Sequence, residues 1–164
     1  MTPKTTALVI VDLQNDFLHP DGAYGRAEQK SDAIAALPAR VKPVADAVRA
    51  AKGDFQPGAW GHQLVDELQP ADLSVEKIAY SAFHQTRLEF VLKKAGIETL
   101  IFCGIVTNGG VASTVRAAHV RDYHTIVLSD GCAAFRPEVH DGAIADLATI
   151  SEVRTCAEAA KLFA

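Results

Sequence analysis

Residues Thr6-Ala7-Leu8-Val9-Ile10-Val11 form an unbroken apolar run, and Asp12 ends it. A strand with one wet face alternates apolar and polar residues, whereas a strand covered on both faces does not. The run therefore predicts a buried parallel strand. Parallel neighbours need long crossovers, usually helical, so the rest of the chain must alternate strand with helix. It does. Thr99–Cys103 and Thr125–Leu128 are further apolar runs, Ser151–Thr155 alternates like an edge strand, and Ser74–Ile78 is read as a fifth strand.

Helices fall between these runs. Ile34, Leu37, Val41, Val44 and Val48 follow three- and four-residue steps and give one apolar stripe. Pro38 and Pro43 lie within it, so a late start or a kink is expected. Thr86-Arg87-Leu88-Glu89 has the spacing of a capping box, and Gly96 closes the same helix. Val111, Val115 and Ala118 mark the buried side of a helix that follows two glycines, and Pro137 opens another helix running to about Ala148. The pattern is that of a three-layer α/β fold, a mostly parallel central sheet with helices on both faces, in one domain spanning 1–164.

A net charge of −4 with no basic stripe argues against nucleic acid as a partner. The longest apolar runs are too short to span a bilayer, and no apolar stretch follows a basic start. A cytoplasmic protein without a membrane partner is the expectation. Three cysteines, Cys103, Cys132 and Cys156, lack metal-type spacing and suit reduced thiols. The six histidines are scattered, so no metal and no cofactor are expected.

In open α/β sheets, ligands bind at the carboxyl ends of the strands. Asp12, Lys77 and the turn Thr107-Asn108-Gly109-Gly110 all fall at predicted strand ends. A glycine opening a helix costs about 1 kcal/mol relative to alanine. Gly109 and Gly110 therefore suggest either a turn with positive φ or close approach of backbone to a ligand, with free N–H groups at a helix start. Asn108 could cap that helix. Gln14 and Asn15 are read as holding their loop through backbone hydrogen bonds. Cys103 should be buried, whereas Cys132 follows Ser129-Asp130-Gly131 and could face the same crevice.

Three segments together, Val11-Asp12-Leu13-Gln14-Asn15-Asp16-Phe17, Lys77 with Tyr80-Ser81-Ala82-Phe83, and Gly104-Ile105-Val106-Thr107-Asn108-Gly109-Gly110-Val111, resemble the isochorismatase-like hydrolases. Most of that family carries an Asp–Lys–Cys triad. Asp12 and Lys77 match it, and Gly110 stands where the cysteine nucleophile is usual. The resemblance implies a Rossmann-like, isochorismatase-like fold and an oxyanion hole from the amides of Val106 and Gly110. It also implies a cis peptide between Ile105 and Val106. Pocket walls would come from Phe17, Trp60, Tyr80 and Phe83, beside Val106 and Asn108. His84 and Arg87 could reach an anionic substrate. The implied partner is a small-molecule substrate, and the implied assembly a homodimer or homotetramer. The family sheet has six strands. Only Gly53-Asp54-Phe55-Gln56 separates the first long helix from Pro57-Gly58-Ala59-Trp60-Gly61, so a strand–loop segment is expected to be missing near 52–56.

Two chemistries follow. Family members with glycine at this position hydrolyse a vinyl ether: an acid protonates the enol ether carbon, water captures the cation, and the hemiketal collapses to pyruvate and an alcohol. No covalent nucleophile is needed, and Asp12 could be the acid. Lys77 favours the charged carboxylate, so this role suits a substrate whose own carboxylate pairs with Lys77. Against it, Val106-Thr107-Asn108 is closer to the amidase branch, where hydrolysis normally runs through a cysteine acyl-enzyme. A non-catalytic binding protein is the third reading.

Overall fold

The computed structural model describes residues 6–29, 31–50 and 64–163. Among these residues four strands form one parallel sheet in the order β1-β2-β3-β4, with β1 at Thr6–Val11, β2 at Thr99–Ile105, β3 at His124–Ala133 and β4 at Glu152–Arg154. The apolar runs are the strands, for the expected reason: Leu100, Ile101, Phe102, Ile126, Val127 and Leu128 are fully buried between two helical layers. The alternating segment is β4, which among the described residues pairs only with β3 and has no buried residue.

Eight α-helices are described: α1 (Asn15–Leu18), α2 (Ala23–Arg26), α3 (Asp32–Ala35), α4 (Leu37–Ala50), α5 (Leu88–Lys94), α6 (Ala112–His119), α7 (Pro137–Leu147) and α8 (Cys156–Ala160). On one face of the sheet, Ile34, Leu37, Val41 and Val44 pack with Cys156 and Ala159 over Ile101, Ile126 and Leu128. On the other, Leu88, Leu92, Val115, Ala118 and Leu147 pack over Leu100, Phe102 and Val127. The predicted stripe is therefore real but broken. It splits at Ala36 into α3 and α4, which puts Pro38 in the first turn of α4, where a missing N–H matters least. Pro43 lies inside α4.

Two local expectations fail. Ser74–Ile78 pairs with no strand among the described residues and runs as irregular chain. Ser74, Glu76 and Ile78 are exposed and Lys77 is charged, which leaves Val75 as the one sheltered apolar side chain of the five. Nor do Thr86 and Glu89 form a capping box. Thr86 Oγ1 accepts the Leu88 amide at 3.2 Å, while Glu89 turns away to pair with Lys93 and Arg121. The true capping box is at α8: Glu158 N–H donates to Thr155 Oγ1 at 3.2 Å, and Thr155 N–H donates to Glu158 Oε2 at 2.8 Å. Gly96 does close α5. With φ of 65° it lets the Ile97 amide reach the Leu92 carbonyl at 3.0 Å and its own amide reach Lys93 at 3.1 Å. The strand–loop segment expected to be missing near 52–56 lies outside the described residues.

Candidate active site

β1 and β2 approach each other closely at their carboxyl ends, and Gly104 permits it. Gly104 pairs in register with Val11 and has φ of 128°; a Cβ there would stand 2.0 Å from the Val11 carbonyl oxygen. No side chain fits. Beyond Val11, Asp12 adopts φ of 56°, a left-handed conformation that Asp tolerates better than most residues. This turns the chain off the sheet and leaves the Asp12 carboxylate over the strand ends.

Lys77 meets it there. Lys77 Nζ lies 3.0 Å from Asp12 Oδ2, with side-chain exposures of 22% and 19%. Lys77 also donates to the Ala79 carbonyl at 3.3 Å. The partly sheltered pair is screened less than a surface pair would be.

From the opposite side comes the chain after β2. The Ile105–Val106 peptide is cis. Thr107–Val111 then forms a single π-helical turn, with the Val111 amide reaching the Val106 carbonyl at 3.4 Å, before α6 begins. Such turns recur at functional sites. Gly110 is buried, and its missing side chain would point at the acid: a Cβ would lie 3.2 Å from Asp12 Oδ2, 3.3 Å from the Ile105 carbonyl oxygen and 3.3 Å from Val11 Cγ1. Buried Thr107 fixes the turn to α7, its Oγ1 standing 2.8 Å from His140 Nδ1. Asn108 is exposed, and no side chain caps this helix start, so the predicted Asn108 cap is absent.

Asp12, Lys77 and Gly110 thus lie together, although Lys77 comes from an irregular loop and not from the strand end expected for it. The other predicted residues divide. Val106 and Asn108 line a cleft of about 220 Å³ with Ala134, Phe135, Arg136 and Val139. Phe17 stacks edge-on against Tyr24 with centroids 4.9 Å apart, and Tyr24 lies 5.8 Å from Phe135. Tyr80 is 71% exposed beside Lys77. Phe83 faces the core instead, 5% exposed, between Tyr123 and the Arg121 guanidinium. His84 is exposed, and Arg87 donates to the Ser74 carbonyl at 3.1 Å. Asn15 is buried, and Gln14 bridges to Leu64. Trp60 lies outside the described residues. Sequence reasoning passed over Tyr24, Phe135 and Arg136, although Phe135 and Arg136 lie two and three residues beyond the β3 strand end.

None of the three thiols reaches this place. Cys103 and Cys132 are interior residues of β2 and β3, and Cys156 begins α8; all are buried. Cys132 does not face the crevice. The strand continues through it to Ala133, and its Sγ sits 3.8 Å from the Phe102 carbonyl oxygen. Burial pushes the Cys132 thiol up to about 12 and the Cys103 thiol well above its ordinary range. Burial, then a hydrogen bond with Asp130, also raises Cys156. Thiols held neutral are poor nucleophiles. Among the described residues no group of three or more His, Cys, Asp or Glu could hold a metal ion, and no helix is long and apolar enough to cross a membrane.

A three-layer α/β sheet carrying an Asp–Lys pair and a glycine turn at its carboxyl edge defines an enzyme of the cysteine-hydrolase superfamily in its architecture. Residues 6–158 match the Isochorismatase domain, and the chain belongs to that family of hydrolases. It is 30% identical to the ureidoacrylate amidohydrolase RutB of Methylobacterium radiotolerans, over 91% of this chain and 75% of that protein. The crystal structure of a cysteine hydrolase from Pseudomonas syringae superposes with a TM-score of 0.84 at 27% identity, covering 98% of this chain and 93% of the other. That of N-carbamoylsarcosine amidase from Thermoplasma acidophilum does so with a TM-score of 0.75 at 25% identity, covering 93% and 96%.

Proposed function

We propose that this hydrolase works without a thiol, on a small substrate bearing a carboxylate, with Asp12 as the proton-transfer group. The observation that carries the reading is the meeting of Gly110 with Asp12. The position facing the acid has no side chain, and every thiol of the chain is buried elsewhere. With no nucleophile to form a covalent intermediate, water must attack directly.

A vinyl ether suits this arrangement. Asp12, as the carboxylic acid, gives its proton to the methylene carbon of the enol ether. The resulting oxocarbenium ion is captured by water, which returns a proton to the Asp12 carboxylate. The hemiketal then breaks its C–O bond to release pyruvate and an alcohol. Lys77 Nζ, 3.0 Å from Asp12 Oδ2, is placed to pair with a carboxylate of the substrate as well. The amides of Val106 and Gly110 are the donors available to a second oxygen of the substrate.

A second reading, water-driven hydrolysis of an amide or ureido C–N bond with Asp12 as base, is favoured by the names of two relatives, an amidohydrolase and an amidase. Both readings are tested together by assaying pyruvate release from isochorismate beside ammonia release from ureidoacrylate and N-carbamoylsarcosine. Pyruvate without ammonia supports the first, and ammonia without pyruvate replaces it with the second. Turnover that disappears in Cys132→Ser, with the fold intact, rules out thiol-free chemistry in either form.

A further inference from the structure

Thr114 lies on α6, fully buried, one turn beyond the glycines. Its hydroxyl has one proton to give, and donates it to the Gly110 carbonyl at 2.6 Å. The same oxygen accepts the Ala82 amide at 3.1 Å, although Ala82 is 32 residues away in sequence. Donation back to a carbonyl four residues earlier is a common habit of helical threonines. Acceptance from a distant loop is not, and it gives the hydroxyl a second task.

The consequence is a closed circuit. Gly110 is tied to Thr114, and Thr114 to Ala82. The short loop from Ala82 leads back to Ala79, whose carbonyl receives Lys77 Nζ at 3.3 Å. Lys77 pairs with Asp12 at 3.0 Å, and Asp12 faces the absent Cβ of Gly110 at 3.2 Å. The loop carrying Lys77 belongs to no strand, so the sheet does not hold it. Inside the loop the bonds are local: Phe83 N–H donates to Ser81 Oγ at 3.2 Å, and Thr86 Oγ1 donates to the Ala82 carbonyl. Arg87 ties the loop to itself through the Ser74 carbonyl.

We infer that Thr114 is a positioning residue: its hydroxyl sets the distance between the Lys77 loop and the Gly110 turn, and so the placement of Lys77 against Asp12. The inference rests on the reading that Asp12, Lys77 and Gly110 form the active site. Valine is nearly the same shape but cannot accept from Ala82 or donate to Gly110, leaving the part-buried Ala82 amide without this acceptor. Serine keeps the hydroxyl and loses one methyl.

The test compares wild type, Thr114→Val, Thr114→Ser and Asp12→Asn on isochorismate, ureidoacrylate and N-carbamoylsarcosine, with amide hydrogen exchange of residues 79–83 and 107–111 followed in parallel. Thr114→Val should lower kcat on the order of 100-fold, the size expected for a displacement of about 1 Å at a site. KM should change little. Exchange in both segments should rise together, and Thr114→Ser should restore both kcat and protection. Full kcat in Thr114→Val while Asp12→Asn is inactive would overturn the role of Thr114 alone. Undiminished turnover in Asp12→Asn would instead overturn the site. With no turnover of any probe, exchange decides: unchanged protection of 107–111 in Thr114→Val removes the link.

Discussion

The side-chain position of Gly110 points at the carboxylate of Asp12, with only 3.2 Å between Oδ2 and the place a Cβ would take. The spacing is tight enough that even a methyl group requires the carboxylate or the Ile105 carbonyl to yield. Gly110→Ala should therefore separate stability from activity. Thermal stability should hold or rise by up to about 1 kcal/mol, since alanine is the better helix residue. Turnover should fall by about 10- to 100-fold as Asp12 is displaced. Melting curves beside initial rates measure both.

Gly104 should behave in the opposite way. At φ of 128°, with the Val11 carbonyl oxygen 2.0 Å from any Cβ, Gly104→Ala must push β1 from β2. A loss of roughly 3 kcal/mol or more is expected, from backbone strain and lost packing together. Urea unfolding gives the number, and a midpoint equal to that of wild type would show that the strands are not so closely held.

The buried thiols make stability depend on alkaline pH. Burial raises Cys132 to about 12 and places Cys103 well above its ordinary value. In the unfolded chain a thiol ionises near 8.5. Between about 8.5 and 12 the unfolded state thus binds fewer protons than the folded one, and stability falls as pH rises. The stabilisation is complete below the unfolded value. The expected slope is about 1.4 kcal/mol per pH unit for each thiol, and Cys132→Ser should reduce it by one thiol's share. The same burial predicts that native protein reacts with Ellman's reagent only on the time scale of unfolding.

At α8, Thr155→Ala removes the acceptor of the Glu158 amide and half of a reciprocal pair. A loss of about 1 kcal/mol is expected. Thr86→Ala should show no reciprocal coupling with Glu89, since Glu89 bonds elsewhere. A double-mutant cycle at each site distinguishes the two.

These two threonines show where sequence reading succeeds. Both precede a glutamate by three residues, and only the one whose glutamate has no better partner forms the box. Arg121, distant in sequence and adjacent in space, takes Glu89 away. The buried strands were legible because the covering of both faces removes polar alternation, and Asp12 and Gly110 were legible because strand ends share an edge. Lys77 arrived there without its predicted strand, carried by a loop anchored by the buried Phe83 ring and the Thr114 hydroxyl, contacts that no local pattern records. Gly104 went unread for the same reason: the need for glycine comes from Val11, 93 positions earlier in the chain.

The most direct measurement is the rate of pyruvate release from isochorismate by wild type and Asp12→Asn, each with its fold verified by circular dichroism. Amide for carboxyl preserves the shape and removes the transferable proton. Wild type should turn over, and Asp12→Asn should lose at least about 100-fold, the lower range of general acid–base contributions. Equal rates in the two proteins, or no pyruvate from wild type, would contradict the account.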